Sequence, residues 1–207
     1  PLLLKKEHPG YVLNAMLGPL LRTGMLMVSN DATTFEDVDR AWMHFRRAPM
    51  GPFGMIDLFG VNLIHDSWQF REVRGGEVAA RERILALLQP YVSRGQLGMK
   101  SGAGFYRYPD AAYQGGDFLV DAASLSHLHD TLVTVVAANG VYLAALGVAD
   151  PGQVDMAWKT GTYLDAGPFQ ILDALGEEWL LRRLRRQLAE GYIDSAVAAA
   201  IGAYLQK

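Results

Sequence analysis

The same phrase occurs twice in this chain, 116 residues apart. The first copy runs from Thr34 to Gly60 and the second from Asp150 to Gly176. Without a gap, Val38, Asp39, Ala41, Trp42, Gly51, Pro52, Phe53, Asp57 and Gly60 recur as Val154, Asp155, Ala157, Trp158, Gly167, Pro168, Phe169, Asp173 and Gly176. Nine identities in 27 aligned positions compare with about one or two expected from ordinary composition. A repeat of this length is one folding unit used twice, so the expected architecture is two similar units. The chain has 207 residues, enough for two domains of about 100 each.

Gly and Pro punctuate a mainly helical text. Tyr11 to Val28 carries Val12, Met16, Leu20 and Met27 and reads as a long helix, with a kink expected at Pro19. Thr34 is placed to cap the next helix, whose face is Val38, Ala41, Trp42 and Phe45. Gly51-Pro52 starts another helix, with Pro where its missing N–H costs nothing, and Gly60 ends or bends it. Arg81 to Ser93 is also helical. Gly95 to Tyr108, GQLGMKSGAGFYRY, reads as a structured loop with one short strand. In the second unit, helices are expected over 125–146, 150–160, 167–175, 177–190 and 195–205. The expected fold class is therefore all-α. The expected division is a first unit over 1–109, a linker over 110–123 and a divergent second unit over 124–207.

Composition excludes several functions. With no cysteine there is no disulfide, thiolate zinc site or thiol nucleophile. A net charge of -3 argues against nucleic acid or a membrane surface as a general partner. No apolar run of about 20 residues and no signal peptide are evident, and the expected compartment is the cytoplasm. The chain starts at Pro1 without a Met, and reads as a fragment of something longer. His8, His44, His65, His127 and His129 show no metal-ligand spacing. Arg182, Arg183, Arg185 and Arg186 read as a solvated face, and the early methionines as core filler, with an acyl-chain tunnel as the rival. The repeated residues read as packing and helix-start devices. Asp57 and Asp173 are expected to cap a neighbouring helix or to accept backbone N–H bonds.

Four ordered motifs carry a resemblance. Lys5 to Leu21, KKEHPGYVLNAMLGPLL, resembles the segment that opens the C-terminal domain of the 3-hydroxyacyl-CoA dehydrogenases. EDVDRAW, PMGPFGMIDLFG and GQLGMKSGAGFYRY follow in that family's order and spacing. The resemblance covers Lys5 to Tyr108 well and Ser124 to Gly176 more weakly, as a second unit of the same kind.

The resemblance implies a helical domain of the 6-phosphogluconate-dehydrogenase C-terminal type. It implies oxidation of an L-3-hydroxyacyl-CoA to the 3-oxoacyl-CoA in fatty-acid or aromatic-acid degradation, with NAD bound by a Rossmann domain bearing a His–Glu general base. These 207 residues contain no G-x-G-x-x-G and no strand–helix alternation, so they read as the substrate-side portion, inactive alone. Implied partners are the protein's own Rossmann domain, the acyl-CoA, and either a homodimer mate or, in its place, the second unit as an internal pseudo-dimer. The one catalytic position carried over is Asn14, whose amide is suited to hold a substrate oxygen. Ala15 departs from the family, where Arg is usual. Asp130 stands at the second-copy position of Asn14. Lys100-Ser101-Gly102 reads as a tight turn, with phosphate contact as the lesser option. The alternatives are a non-catalytic helical assembly module and a dehydrogenase of another hydroxy acid.

Overall fold

The computed structural model describes residues 6, 10–73 and 75–206. Among them there are ten α-helices and no strand: α1 (Tyr11–Ser29), α2 (Phe35–Arg46), α3 (Pro52–Phe59), α4 (Val61–Gln69), α5 (Glu77–Ser93), α6 (Ser126–Ala145), α7 (Pro151–Thr162), α8 (Pro168–Leu175), α9 (Glu177–Ala189) and α10 (Ser195–Leu205). The all-α class is as expected. The short strand is not: residues 98–107 make two isolated bridges, Gly98 with Ala103 and Ala103 with Arg107, around a 3-10 turn at Met99–Ser101. Repeated glycine leaves too few consecutive extended residues for a strand.

α4 is the helix the sequence reading missed. It lacks a side-chain cap and follows Gly60 directly, so it reads as the tail of α3. Its buried residues are Val61, His65 and Trp68, a helical stripe with a histidine in the middle. α5 also starts four residues earlier than Arg81.

The described residues group into two compact units, 21–129 in one and 1–20 with 130–207 in the other. The borders fall inside α1 and α6, not at the segment 110–123 expected as a linker. That segment is packed: Ala111, Tyr113, Phe118 and Ala122 are all buried. Arg40 Nε donates to the Phe118 carbonyl at 2.9 Å, and its guanidinium lies over the Phe118 ring.

In the 21–129 unit, the Thr34 hydroxyl accepts the Asp37 N–H and caps α2. Val38, Ala41 and Trp42 then face inward with Phe53, Ile56, Ile84 and Leu88. Asp39, one turn into α2, is buried with them. Its Oδ1 accepts the Phe53 N–H at 2.8 Å and its Oδ2 the Gly54 N–H at 2.9 Å. A helix begins with N–H groups that have no partner within it, and here a carboxylate from the preceding helix takes two of them. The approach is close enough that a Cβ on Gly51 would overlap the Asp39 backbone.

The other unit repeats the device. Asp155 Oδ1 accepts the Phe169 N–H at 2.7 Å and Oδ2 the Gln170 N–H at 3.1 Å, and a Cβ on Gly167 would overlap Asp155. Asp150 and Gln153 form a capping box on α7, and Asp194 caps α10 by accepting the Val197 N–H. The core here joins Val133, Val135 and Ala137 of α6 to Ile171, Leu172, Leu180, Leu184, Val197 and Ile201.

Two helical segments, Tyr11–Ser29 and Ala122–Ala145, are long and apolar enough to cross a membrane, which corrects the sequence expectation on this point. Their apolar windows are 56% and 72% buried within the fold, as the core helices of a globular unit are. Early methionines fill the core: Met16, Met25, Met27 and Met43 are all buried.

Candidate functional site

In the 21–129 unit the chemistry collects around two buried carboxylates. Asp57 sits on the last turn of α3 and is 1% exposed. Its Oδ1 accepts the Phe105 N–H and its Oδ2 the Tyr106 N–H, both at 2.9 Å, and Oδ2 also accepts the Tyr108 hydroxyl at 3.0 Å. Asp39 takes a third donor, the Tyr106 hydroxyl, at 3.0 Å. Tyr106 thus ties one carboxylate to the other, through its side chain and its backbone.

This clamp explains the glycine-rich loop. A Cβ on Gly104 would overlap the Asp57 carboxylate, and one on Gly98 would overlap the Asp57 backbone. The loop lies directly against α3, and only glycine permits the contact. Aromatic side chains seal it: the Phe105 ring is 4.6 Å from Phe53 and 4.3 Å from Tyr91, and Tyr106 meets Phe35, Tyr113 and Phe118 edge-on.

Burial sets the charge state. Desolvation pushes the Asp39 carboxyl up to about 7, against the lowering effect of its three donors; the nearby Asp57 adds a smaller upward push. Desolvation raises Asp57 as well, again opposed by its donors. Tyr106 and Tyr108 are pushed far above the ordinary phenol range, first by burial and then by the carboxylates, so both remain hydroxyl donors. These groups bind and order the loop; none is positioned as a general base at a solvent-accessible site.

The outer side of the loop is open. Asp57, Leu58, Phe59, Gly60, Asn62, Leu63, Leu97, Lys100 and Ser101 line a shallow pocket of about 380 Å³. The loop is joined to α4 here, since the Val61 N–H donates to the Leu97 carbonyl at 3.1 Å. Ser101 Oγ accepts the Leu97 N–H and donates back to the Gly98 or Ala103 carbonyl, which holds the turn as expected. Lys100 is exposed on it.

Asn14 lies in the other unit, on the first turn of α1. It is exposed, with no hydrogen bond to any described residue, and Gly10 at φ 79 turns the chain into the helix beside it. Pro9 and His8 of the same motif lie outside the described residues. Leu13 packs so closely on α7 that a Cβ on Gly161 would overlap it. The second-copy position, Asp130, pairs with Arg183 at 2.6 Å, and Arg183 also covers the Trp179 ring. Arg186 pairs with Glu190, while Arg182 and Arg185 are exposed. The arginine helix is thus partly tied to its own unit. His65 bridges Asp66 and Gln89, and His129 stacks on Phe45. No group of three metal-ligating side chains occurs among the described residues.

The sequence reading missed the Asp39 clamp. Asp39 recurs as Asp155 at a fixed 14 residues before Phe53 and Phe169, which was the available signal. The expectation that a repeated Asp accepts backbone N–H groups holds for Asp57. It fails for Asp173, which is exposed and has no hydrogen bond to a described residue.

Residues 10–108 match the family model described as "3-hydroxyacyl-CoA dehydrogenase, C-terminal domain". The chain is 39% identical over 107 residues to a 3-hydroxybutyryl-CoA dehydrogenase of Mycobacterium tuberculosis, covering 49% of this chain and 35% of the relative. To the human mitochondrial hydroxyacyl-coenzyme A dehydrogenase it is 28% identical over 106 residues, covering 50% of this chain and 32% of that one. The chain therefore spans about a third of the length of these relatives. The crystal structure of an Escherichia coli 3-hydroxybutyryl-CoA dehydrogenase shares the fold at a TM-score of 0.64 and 16% identity, over 95% of this chain and 61% of that one.

Proposed function

We propose that this chain is the helical, substrate-side portion of an NAD-dependent L-3-hydroxyacyl-CoA dehydrogenase, and that it is inactive by itself. The observation that carries this reading is the match over residues 10–108, together with the exposed amide of Asn14 on the first turn of α1, which bonds no described residue. The described residues do not fit a dinucleotide: they contain no strand and no Gly-x-Gly-x-x-Gly turn opening a helix. NAD and the general base belong, in this reading, to a Rossmann domain outside these residues.

Within that division of labour Asn14 is the residue that touches substrate. A neutral carboxamide can donate to the oxygen on the reacting carbon without adding a charge, and its place on a helix fixes its direction. The Asp39–Tyr106–Asp57 clamp is structural, holding the loop and α3 in register.

The test joins these residues to the Rossmann domain of the M. tuberculosis relative and follows NADH formation from 3-hydroxybutyryl-CoA and longer substrates. The joined enzyme should turn over, the isolated 207 residues should not, and Asn14→Ala in the joined enzyme should lower kcat by about 10- to 100-fold. Turnover by the isolated chain would show that a base and cofactor site lie within it. Full activity of Asn14→Ala would remove its catalytic role. The second copy, in the same proposal, replaces a homodimer mate, so sedimentation should give a monomer.

A further inference from the structure

The first turn of α1, which carries Asn14, is fitted against two glycines. Gly10 has φ 79, and a Cβ on it would stand 3.2 Å from the Asn14 Cβ. At the next position Leu13 is half-buried, and a Cβ on Gly161 would overlap its Cδ atoms and stand 3.0 Å from its Cγ. Gly161 lies in the last turn of α7, with helical backbone and no positive φ. Glycine weakens a helix at such a place, so local conformation gives no reason for it. The close approach of Leu13 does. The end of α7 is a firm seat. Trp158 is fully buried, the Thr162 hydroxyl donates to the Trp158 carbonyl at 2.7 Å, and the Tyr163 N–H donates to the Lys159 carbonyl at 2.9 Å.

The 116-residue offset supplies a control. It carries Leu13 to His129 and Gly161 to Phe45. Those two positions also meet in the 21–129 unit, where the His129 and Phe45 rings stack with centroids 4.8 Å apart. Contact between the positions therefore belongs to the repeated architecture, and the glycine does not. The notch occurs where the neighbouring helix carries Asn14. On the helix that carries Asp130 at the equivalent position, a ring fills the place of the notch, and Asp130 pairs with Arg183.

We infer that Gly161 is a positioning residue for Asn14: the notch it leaves in α7 seats Leu13, and that seat fixes the first turn of α1 from which the Asn14 carboxamide reaches substrate. This rests on the reading of Asn14 as the residue that touches substrate. A methyl group at position 161 displaces Leu13, whose side-chain end is the movable partner, and shifts the adjoining residue with it. Misplacing a reacting group by about 1 Å costs up to about 100-fold in rate. Where the lost interaction acts mainly in the transition state, the loss falls on kcat and leaves KM nearly unchanged.

The test places Gly161→Ala in the joined enzyme in three backgrounds: unchanged, Leu13→Ala and Asn14→Ala. In the unchanged background kcat for 3-hydroxybutyryl-CoA should fall about 10-fold, with KM within about 2-fold and the melting temperature within about 4 °C. In Leu13→Ala the same substitution should cost less than about 2-fold, because the atoms it displaces are gone. In Asn14→Ala it should also cost less than about 2-fold, because the group it misplaces is gone. Gly161→Ala with unchanged kcat overturns the inference, and so does a 10-fold loss that persists in either background. Where Asn14→Ala itself is impaired, those outcomes leave the catalytic reading of Asn14 standing; full activity of Asn14→Ala removes that reading and the inference together. A second readout needs no turnover. In the 207-residue chain the Asn14 carboxamide resonances should shift in Gly161→Ala, and the shift should be absent when residue 13 is also changed by Leu13→Ala. Resonances that stay in place in Gly161→Ala overturn the inference whatever the rates.

Discussion

The Asp39 clamp and the Asp155 clamp are the same device in two settings. Each carboxylate joins an inner helix to the first turn of a Gly-Pro helix, with two N–H donors at 2.7–3.1 Å. Around Asp39 the setting is sealed, with a third donor and a second buried acid at hand. Around Asp155 it is open, and desolvation raises that carboxyl as well. The inner clamp therefore forms both with and without a third donor on its carboxylate. The loop's burial changes what the clamp costs, since a carboxylate cut off from water must be stabilised by its donors alone.

The sharpest way to break this comparison is at the glycines where both settings are equally tight. Gly51→Ala and Gly167→Ala should each cost about 3 kcal/mol or more, because the clash is with backbone that cannot move aside. Chemical denaturation with matched m-values checks it, and a mild effect at Gly167 alone would show the open copy to be plastic. Next comes the outer acid. Asp57→Asn should cost about 1–3 kcal/mol through donors left facing an amide, while Asp173→Asn should stay within about 0.5 kcal/mol. Thermal melts of the two variants side by side measure the difference.

A graded form of the comparison is in pH. The Asp39 carboxyl is raised to about 7, above its ordinary value of 3.8, so the folded state holds a proton that the unfolded state releases. Its contribution to stability is present at low pH and is lost as pH rises from about 4 to about 7. The slope approaches about 1.4 kcal/mol per pH unit at most. Denaturation at fixed pH values should show stability falling across that window, and Asp39→Asn should flatten the curve. Asp155→Asn should flatten it less, because Asp155 is less completely removed from water.

Most of the helices were legible because Gly-Pro pairs and Thr34 mark their starts in ordinary ways. α4 was not, because an uncapped start after Gly60 and a buried histidine hide its stripe. The doubled phrase pointed correctly to packing, yet which Asp clamps which helix depends on side chains reaching across 14 residues to a backbone. That reach is a property of tertiary approach, and no local propensity encodes it. Residues 110–123 looked like a linker for a similar reason. Their polar and small residues dominate by number, while Ala111, Tyr113, Phe118 and Ala122 are the buried anchors that pack the segment. Asn14 was carried by resemblance, and here it is an exposed amide on a helix with no hydrogen bond to a described residue.

Gly98 and Gly104 bear on how this molecule breathes. Composition alone would place GQLGMKSGAGFYRY among the first segments to open. Yet its glycines mark where another helix has taken the room of a side chain, and its Phe105 and Tyr106 N–H groups end on a buried carboxylate. Those two amides should be among the last in the chain to trade their hydrogens with solvent, opening only when the 21–129 unit itself unfolds.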